Sequence, residues 1–247
     1  SDGQENLSEA WERHAREWIA WARRPGHDVF DRFHRDQFLA LLPASGRLTV
    51  EVGCGEGRVC RALKAAGHTV VGVDSSPTLV AAARAADPAI PVHLTDVSAI
   101  PLDDGEADLA VAFMSLHDFD ALNPALREIA RVLESGGRLC LAVVHPLNSA
   151  GGFESLEASS PFVIEHSYLD ERRYSDHLER DGLTMTFESL HRPLEQYTAA
   201  LAENGFLIEA LREPSVPESA ITEERERRWQ RMPLFLHIRA RKAGADG

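Results

Sequence analysis

The stretch LTVEVGCGEGRV, residues 48–59, joins a short apolar run to three alternating glycines and the start of a helical pattern. Glycines at positions 53, 55 and 57 allow the backbone to turn tightly and to approach a ligand without interference from a Cβ atom. The helix that follows would direct the positive end of its dipole at the same point. The stretch therefore predicts a strand, a ligand-binding turn and a helix in succession.

The spacing of these glycines differs from that of a dinucleotide-binding turn. Such a turn reads GxGxxG, whereas this chain has GxGxG, with Val59 and Cys60 near the place of a third glycine. Glu51, two residues before the first glycine, has no part in the dinucleotide fingerprint. The pattern disfavours a nicotinamide-dependent oxidoreductase, which remains an alternative.

Apolar runs and helical patterns alternate around this turn. We expect the following elements: strands at 48–52, 69–73, 92–94, 108–113 and 138–144, and helices at 59–66, 77–86 and 124–133. Repeated βα units are typical of a parallel sheet with helices on both faces. The fold class is therefore α/β, with a Rossmann-like, mostly parallel sheet.

The two ends of the chain follow other patterns. The spacing of three tryptophans predicts a helix over 8–24 with Ser8 as its N-cap, and a second helix is expected over 29–42. After residue 145, an antiparallel hairpin is expected from strands at 162–168 and 183–190. The elements expected beyond it are a helix at 194–203, a strand at 206–211, a charge-rich helix at 218–231 and a strand at 234–240.

Composition excludes several classes of function. The 26 Lys and Arg residues against 39 Asp and Glu residues give a net charge of −13, which disfavours nucleic acid as a partner. Cys54, Cys60 and Cys140 form no CxxC pair, which argues against a disulfide framework or a zinc site. No apolar run approaches the roughly 18 to 20 residues of a membrane span, and no secretory signal is evident. We expect a cytoplasmic protein.

Acidic and apolar side chains follow the next strands. Asp74 ends the second strand, 19 residues after Gly55, where a carboxylate can accept hydrogen bonds from both hydroxyls of a ribose. Asp96 and Val97 follow the third strand and suit the amino group and ring face of an adenine. These positions predict a nucleoside ligand at the carboxyl edge of the sheet.

Four segments together resemble the class I S-adenosylmethionine-dependent methyltransferases: VEVGCGEGRV, VVGVDSSP, TDVSAIPLDDGEADLAVAFMSLHDFD and REIARVLESGGRLCLAVVHP. The resemblance covers about residues 45–147. It implies that the glycine turn and its preceding acid hold the methionine part of the cofactor, and that the second-strand acid binds the ribose. The cofactor-binding residues that the resemblance implies are Glu51, Gly53, Cys54, Gly55, Gly57, Arg58, Asp74, Ser75, Asp96, Val97, Phe113 and Met114.

The resemblance also implies an organisation of the whole chain. The sheet would have seven strands with an antiparallel last hairpin, and the C-terminal part is similar to the small-molecule branch of the family, methyltransferase type 11. The parts would be an N-terminal helical cap, the cofactor-binding core, an insertion that covers the substrate and a C-terminal completion of the sheet, at 1–44, 45–147, 148–192 and 193–247. The expected partner is a small-molecule acceptor, and the protein would be a monomer or homodimer.

A sulfonium methyl group is already activated for in-line displacement by an O, N or C nucleophile, so the main task is to position the acceptor and exclude water. Where a base is required, His117 and then His145 are the candidates, because His117 follows the fourth strand and His145 ends the fifth, both at the carboxyl edge. Each could instead serve only in hydrogen bonding. We expect no metal, since Phe113 and Met114 stand where magnesium-dependent relatives have an acid. A catalytically inactive nucleoside-binding subunit remains a further alternative.

Overall fold

The computed structural model describes residues 5–244, so the outermost parts of the expected N-terminal cap (1–4) and C-terminal part (245–247) lie outside the described residues. A sheet of seven strands forms its centre. From one edge to the other, the strands are β10 Phe206–Arg212, β11 Phe235–Lys242, β5 Leu133–Val144, β4 Ala107–Phe113, β1 Thr49–Val52, β2 Val70–Asp74 and β3 Val92–Leu94. The strand β11 is antiparallel to both of its neighbours, and the remaining pairs are parallel. The expected α/β fold with a mostly parallel sheet is confirmed.

The α-helices are α1 Leu7–Arg23, α2 Arg35–Leu39, α3 Arg58–Ala65, α4 Pro77–Ala86, α5 Leu122–Val132, α6 Pro146–Ser149 and α7 Leu194–Glu203. Two smaller antiparallel pairs complete the strands: β6 Gly151–Phe153 with β7 Phe162–Ile164, and β8 Arg172–Arg180 with β9 Leu183–His191.

The central strands are buried on both faces, which explains their nearly continuous apolar sequences. One apolar cluster contains Val50, Leu126 and Leu141, and a second contains Val59, Leu63 and Val111. Helices therefore cover both faces of the sheet. In this arrangement β1, β2 and β4 run parallel, so their carboxyl ends lie at one edge and bring the segments that follow them together.

The helix α1 crosses this edge instead of packing on a face of the sheet. It begins one residue earlier than expected, because Asn6, not Ser8, is its N-cap and forms a capping box with Glu9. The Glu12 carboxylate accepts hydrogen bonds from the hydroxyls of Ser76 and Thr78 at the start of α4. These contacts fix the N-terminal helix over the end of β2.

The second expected helix is interrupted. The chain is helical over 29–39 as expected, but Phe30–His34 form a π-helical turn that continues into the short α2, and the helix ends at Leu39 instead of residue 42. A π-turn adds a residue to the helical repeat and changes which side chains face inward. Phe30, Phe33 and His34 are all buried as a result.

The expected pairing within the insertion was also wrong. The segment at 162–168 is strand only over Phe162–Ile164, and it pairs with β6. The partner of β9 is β8, which lies in the charged sequence between the two expected strands. Charged residues can occupy β8 because its outer side faces solvent, so its apolar periodicity is weak.

Two further segments differ from expectation. The charge-rich stretch at 218–231 forms two 3-10 helical segments, Glu218–Ala220 and Glu224–Arg231, instead of one α-helix. The strand β5 begins at Leu133, before the Gly136-Gly137 turn, rather than at residue 138. Over residues 5–244, no helix is both long enough and apolar enough to cross a bilayer.

Candidate functional site

One cavity of about 1140 Å³ lies at the carboxyl edge of the sheet. Its walls are the ends of β1, β2 and β4, the helix α1, the hairpin β8–β9 and the segment around residues 222–229. Ligand pockets of proteins commonly measure about 300–1,000 Å³. The cavity is therefore large enough for two ligands side by side.

The glycine turn forms the floor of this cavity. Gly53, Gly55 and Gly57 have φ values of +74°, +55° and +86°, in the left-handed region that favours glycine. A Cβ atom at position 53 would lie 2.5 Å from the Cβ atom of Ser115, whose hydroxyl donates to the Val52 carbonyl at 2.7 Å. The turn thus requires glycine both for its backbone conformation and for its close approach to β4.

Asp74 is held at the end of β2 by backbone donors. Its carboxylate accepts hydrogen bonds from the amides of Gly55 at 2.8 Å and Ser76 at 2.9 Å. Burial raises the pKa of Asp74, while these amides act in the opposite direction. The carboxylate lines the cavity, and each oxygen retains a lone pair for a ligand hydroxyl. The neighbouring Ser75 also lines the cavity, where its hydroxyl shares a hydrogen bond of 2.8 Å with that of Ser8.

Glu51 is a buried carboxyl group without a cationic partner among the described residues. Its only side-chain hydrogen bond comes from the Cys60 thiol, at 2.8 Å between Sγ and Oε2. Burial raises the pKa of Glu51 to about 8. The carboxyl lines the cavity, so an ammonium group of a ligand could supply the missing positive charge.

Two further residues of the expected cofactor site have structural partners. Arg58 stacks on the rings of Trp18 and Phe30 and forms an ion pair of 2.5 Å with Asp28. Cys54 is buried below the turn, and its sulfur lies in the space that a Cβ atom at Gly72 would occupy. Both residues line the cavity, but their packing indicates that they shape its wall.

The segments after β3 and β4 complete the expected cofactor site. The Asp96 carboxylate accepts from the amide and hydroxyl of Ser98 in an exposed turn, and Val97 packs against the apolar core. Phe113 is buried among aromatic rings, and Met114 has a φ of +53°. All four line the cavity together with the glycine turn and Asp74. The structure therefore brings eleven of the twelve residues that we expected to bind the cofactor to one cavity, whereas Gly57, the N-cap of α3, is not among the residues that line it.

The first histidine candidate lies in the cavity wall. His117 is buried in a 3-10 turn after β4, and its Nε2 atom lies 3.4 Å from the Asp118 carboxylate. Burial lowers the pKa of His117 to about 3, with a further contribution from the charge of Arg192. Its Nδ1 atom has no hydrogen-bond partner among the described residues. The imidazole is therefore neutral near pH 7.

The second histidine candidate does not reach the cavity. His145 caps the helix α6, where its Nδ1 atom accepts a hydrogen bond from the Leu147 amide at 3.0 Å. Its Nε2 atom lies 2.9 Å from the Glu213 carboxylate. Both ring nitrogens are thus engaged in holding the chain after β5. The position at a strand end suggested an exposed base, but the local cap turned the ring away.

Sequence reasoning missed a polar group beside His117. Burial raises the pKa of Asp118 well above its usual range, and its carboxylate accepts from the Ser189 hydroxyl at 2.6 Å. Tyr174 stands opposite Ser189 on β8, and burial raises the pKa of its phenol. These three residues line the cavity with His117. The dipeptide His-Asp was the only local signal, since the hairpin residues come from 56 or more positions away.

Three tryptophans of α1 contribute unequally to the wall. Trp21 is buried, whereas Trp11 and Trp18 are half-buried, and all three rings make edge contacts with Phe187 of β9. All four rings line the cavity. The helix and the hairpin are therefore joined by an aromatic cluster that closes the cavity over the sheet edge.

Over residues 5–244, no group of three or more His, Cys, Asp or Glu side chains has the arrangement of a metal site. The expectation that no metal is used stays a prediction. The cavity instead combines a glycine turn, two buried carboxyl groups and aromatic walls. These features suit a nucleoside that carries an ammonium group, bound beside a second ligand.

Comparison with known proteins gives a consistent result. Residues 50–141 match the family model described as a methyltransferase domain. An uncharacterized methyltransferase of Mycobacterium tuberculosis is 39% identical over 101 residues, which is 41% of each chain. A malonyl-[acyl-carrier protein] O-methyltransferase of Enterobacter lignolyticus is 31% identical over 168 residues, 66% of this chain and 62% of that one. This chain thus spans less than two thirds of the length of either curated relative.

A solved structure extends the similarity beyond the matched domain. The S-adenosylmethionine-dependent methyltransferase from Mesorhizobium loti has a TM-score of 0.69 and 28% sequence identity to this chain. The alignment covers 83% of this chain and 96% of that one. The similarity therefore includes most of the sheet and the elements around it.

Proposed function

We propose that this chain, which belongs to the class I S-adenosylmethionine-dependent methyltransferases, transfers the methyl group of that cofactor to a small-molecule acceptor in the same cavity. The observation that carries the proposal is the continuity of the cavity. It extends from the glycine turn and Asp74 to the wall formed by His117, Asp118 and the hairpin. Cofactor and acceptor would share one enclosed space, as direct transfer between them requires.

The residues at the sheet edge fit the cofactor. Its amino group would supply the cationic partner that buried Glu51 lacks, and its ribose hydroxyls would donate to Asp74. Gly53 and Gly55 line the cavity, and because they carry no side chain, the cofactor could approach the backbone of the turn closely. S-adenosylmethionine supplies a methyl group on a positively charged sulfur. An acceptor nucleophile attacks the methyl carbon in line and displaces the sulfur. The chain has only to bind, orient and desolvate the reactants.

The wall formed by His117, Asp118 and the hairpin β8–β9, which we call the acceptor wall, offers a group that can take a proton. Asp118 is the best candidate, because burial brings its pKa up from the usual carboxyl range, whereas His117 is a weak base with a pKa of about 3. The neutral imidazole of His117 would position the acceptor through a hydrogen bond. An amine or carboxylate nucleophile would need neither group. A hydroxyl or carbon acid would need the proton acceptor. The acceptor atom can therefore be O, N or C.

The proposal is tested by transfer of a labelled methyl group. The full chain is incubated with S-adenosylmethionine carrying a trideuterated methyl group and with a fractionated small-molecule extract of the source cells, and products are identified by mass spectrometry. We expect a labelled small molecule that requires the protein and disappears in the Asp74→Ala variant. Tight binding of the cofactor without any labelled product would contradict transfer and support the alternative of an inactive nucleoside-binding subunit.

The roles of the two neighbouring side chains separate once an acceptor is known. Asp118→Asn should lower kcat for an acceptor that loses a proton and shift the pH profile, while binding of S-adenosylhomocysteine stays unchanged. His117→Gln should mainly raise KM for the acceptor. Equal kcat in wild type and Asp118→Asn across the pH range would remove Asp118 as the proton acceptor.

A further inference from the structure

One face of the strand β8 runs along the cavity. Tyr174, Asp176, Leu178 and Arg180 alternate along the strand, and all four line the cavity wall. A strand rises about 3.3 Å per residue, so these side chains cover about 20 Å. Tyr174 stands near Asp118 and Ser189, opposite Ser189 in the hairpin register. Arg180 therefore marks the end of the acceptor wall that lies away from the proposed proton acceptor.

Arg180 has donors that the protein does not use. Its Nη2 atom donates to the carbonyl of His27, and its guanidinium lies 5.1 Å from the centre of the Trp21 ring. No carboxylate among the described residues lies within 4 Å of it, although it is adjacent to Asp181. Burial lowers the pKa of Arg180, and the charge of Arg32 acts in the same direction. A partly buried positive charge without a paired anion is less stable than a paired one, and an anionic ligand could complete the pair.

A second arginine lies at the same end of the cavity. Arg228 is 9% exposed, and its guanidinium lies 5.1 Å from the centre of the Trp229 ring and 5.6 Å from that of Phe153. Its Nη1 atom donates only to backbone carbonyls, and its Nε atom is buried without a partner. Within residues 5–244, no carboxylate forms an ion pair with it. Burial lowers the pKa of Arg228 as well.

Glu226, whose charge acts on both arginines, is already paired with another arginine. The Glu226 carboxylate accepts from Arg32 at 2.9 Å and from the amide and hydroxyl of Thr222 at 2.8 and 3.0 Å. Its charge acts on both Arg180 and Arg228, but it makes no hydrogen bond to either. Glu226, Arg32, Arg180 and Arg228 together carry two positive charges. The two other acids that act on Arg180 have partners of their own, because Asp28 pairs with Arg58 and Asp181 lies 3.3 Å from His27. An anion that enters the cavity would meet guanidinium donors that the protein does not use.

We propose that Arg180 and Arg228 form the binding site for an anionic group, a carboxylate or phosphate, of the methyl acceptor. This inference rests on the proposed function, because it assigns the acceptor to the wall opposite the cofactor. The guanidinium groups present forked donors that match both anions. Trp21, Phe187 and Trp229 line the space beside them, so the acceptor would join an apolar or aromatic body to its anionic end.

Binding of simple probes tests this site without requiring methyl transfer. The full chain, saturated with S-adenosylhomocysteine, is titrated with 3-phenylpropionate, with phenyl phosphate and with 3-phenylpropionamide, and binding is followed by ligand-observed NMR. We expect at least one of the two anions to bind at least tenfold more tightly than the neutral amide. The anion that binds more tightly shows whether the methyl acceptor carries a carboxylate or a phosphate. Equal binding of the amide, or no binding of any probe, would contradict the site.

Three variants locate the binding. Arg228→Met and Arg180→Met should each weaken binding of the anionic probe at least tenfold and leave binding of the neutral amide unchanged. Arg228→Lys should retain part of the affinity for the anionic probe. The control is Arg227→Met, because Arg227 lies in the same 3-10 segment but pairs with Glu218 and Glu224 outside the cavity. An equal loss in Arg227→Met, or unchanged affinity in both cavity variants, would overturn the assignment.

Binding of S-adenosylhomocysteine is measured in the same samples. Retained binding in every variant shows that the fold and the cofactor site are intact. If wild type failed to bind S-adenosylhomocysteine, the proposed function would fail, whatever the anionic probes did. If it bound the cofactor product but did not distinguish acid from amide, only the anionic site would fail.

Discussion

The Gly55 amide donates a hydrogen bond of 2.8 Å to the Asp74 carboxylate. This bond joins the turn after β1 to the end of β2, two segments that are adjacent only because the strands are parallel and in register. Both the turn that would hold the methionine part of the cofactor and the acid that would hold its ribose are therefore positioned by one contact.

Asp74→Ala should weaken binding of S-adenosylhomocysteine about 100-fold or more, because it removes charge-assisted hydrogen bonds that each contribute roughly 1.5–3 kcal/mol. Isothermal calorimetry provides the measurement. Asp87→Ala is the matched control, since Asp87 ends α4 and pairs with Lys64 at 2.7 Å outside the cavity. Near-wild-type affinity in Asp74→Ala would rule out its role in ribose binding.

Gly53→Ala should both destabilise the protein and weaken cofactor binding. Its φ of +74° costs a side chain about 1–2 kcal/mol, and the new Cβ would lie 2.5 Å from Ser115 Cβ. Gly136→Ala is the control, because Gly136 has a similar φ of +78° but no atom within 4 Å of the new Cβ. Thermal unfolding should show a distinctly larger loss of stability for Gly53→Ala than for Gly136→Ala. Equal losses would mean that close packing at the turn is unimportant.

Glu51 should couple cofactor binding to proton release. Its pKa of about 8 leaves it mostly protonated at pH 7 in the free chain, and it must ionise to pair with an ammonium group. Calorimetry at pH 7 in buffers of different ionisation enthalpy should therefore show close to one proton released per bound S-adenosylhomocysteine. Affinity should rise with pH up to about 8. Glu51→Gln should bind more weakly and release no proton.

The same group gives a stability prediction of defined sign. Between its ordinary pKa of 4.5 and about 8, the folded chain holds a proton on Glu51 that the unfolded chain has lost. The free energy of unfolding should therefore fall as pH rises through this interval. Glu51→Gln should flatten this dependence in chemical denaturation of the cofactor-free protein. A slope identical to that of wild type would show that Glu51 has an ordinary pKa.

Arg192→Met should destabilise the protein by about 3 kcal/mol or more and disorder the acceptor wall. The fully buried guanidinium donates to the carbonyls of Leu116, Phe119 and Asp120 around the turn that carries His117. Its removal leaves buried carbonyls without donors, at roughly 1–3 kcal/mol each. Urea unfolding measures the loss.

The control for this variant is Arg127→Met, an exposed arginine on α5, which should change the stability by less than about 0.5 kcal/mol. If Arg192→Met were as stable as this control, the carbonyls of the turn would have other donors. Binding of S-adenosylhomocysteine should persist in both variants, because the hydrogen bonds of Arg192 within residues 5–244 go to Glu171, Leu116, Phe119 and Asp120 and not to the glycine turn or Asp74.

The core of the fold was predictable because its signals are local. The apolar run at 48–52 and the glycines after it are each recognised within a few residues, and α4 and α7 have the expected bounds. The insertion was not predictable in the same way. The strand β8 is charged along much of its length, and its partner became evident only from the three-dimensional register.

The two histidine candidates illustrate the limit for the site. Both end parallel strands, so the sequence placed both at the correct edge of the sheet. Whether each ring faces the cavity depends on neighbours that are distant in sequence: Arg192 and Asp118 fix the turn of His117, whereas Glu213 holds the ring of His145 elsewhere. A single sequence does not encode such contacts in any local pattern.

The sequence by itself determined the alternation of strands and helices, the glycine turn and the acids at the strand ends, because backbone conformation and hydrophobic periodicity are local properties. Only the tertiary structure decided which side chains line the proposed acceptor end of the cavity. Asp118, Tyr174, Arg180 and Arg228 come from three separate segments, and they line one cavity because α1 and the β8–β9 hairpin pack over the sheet edge. The residues at the cofactor end can thus be recognised along the chain, whereas those at the proposed acceptor end are brought together by packing.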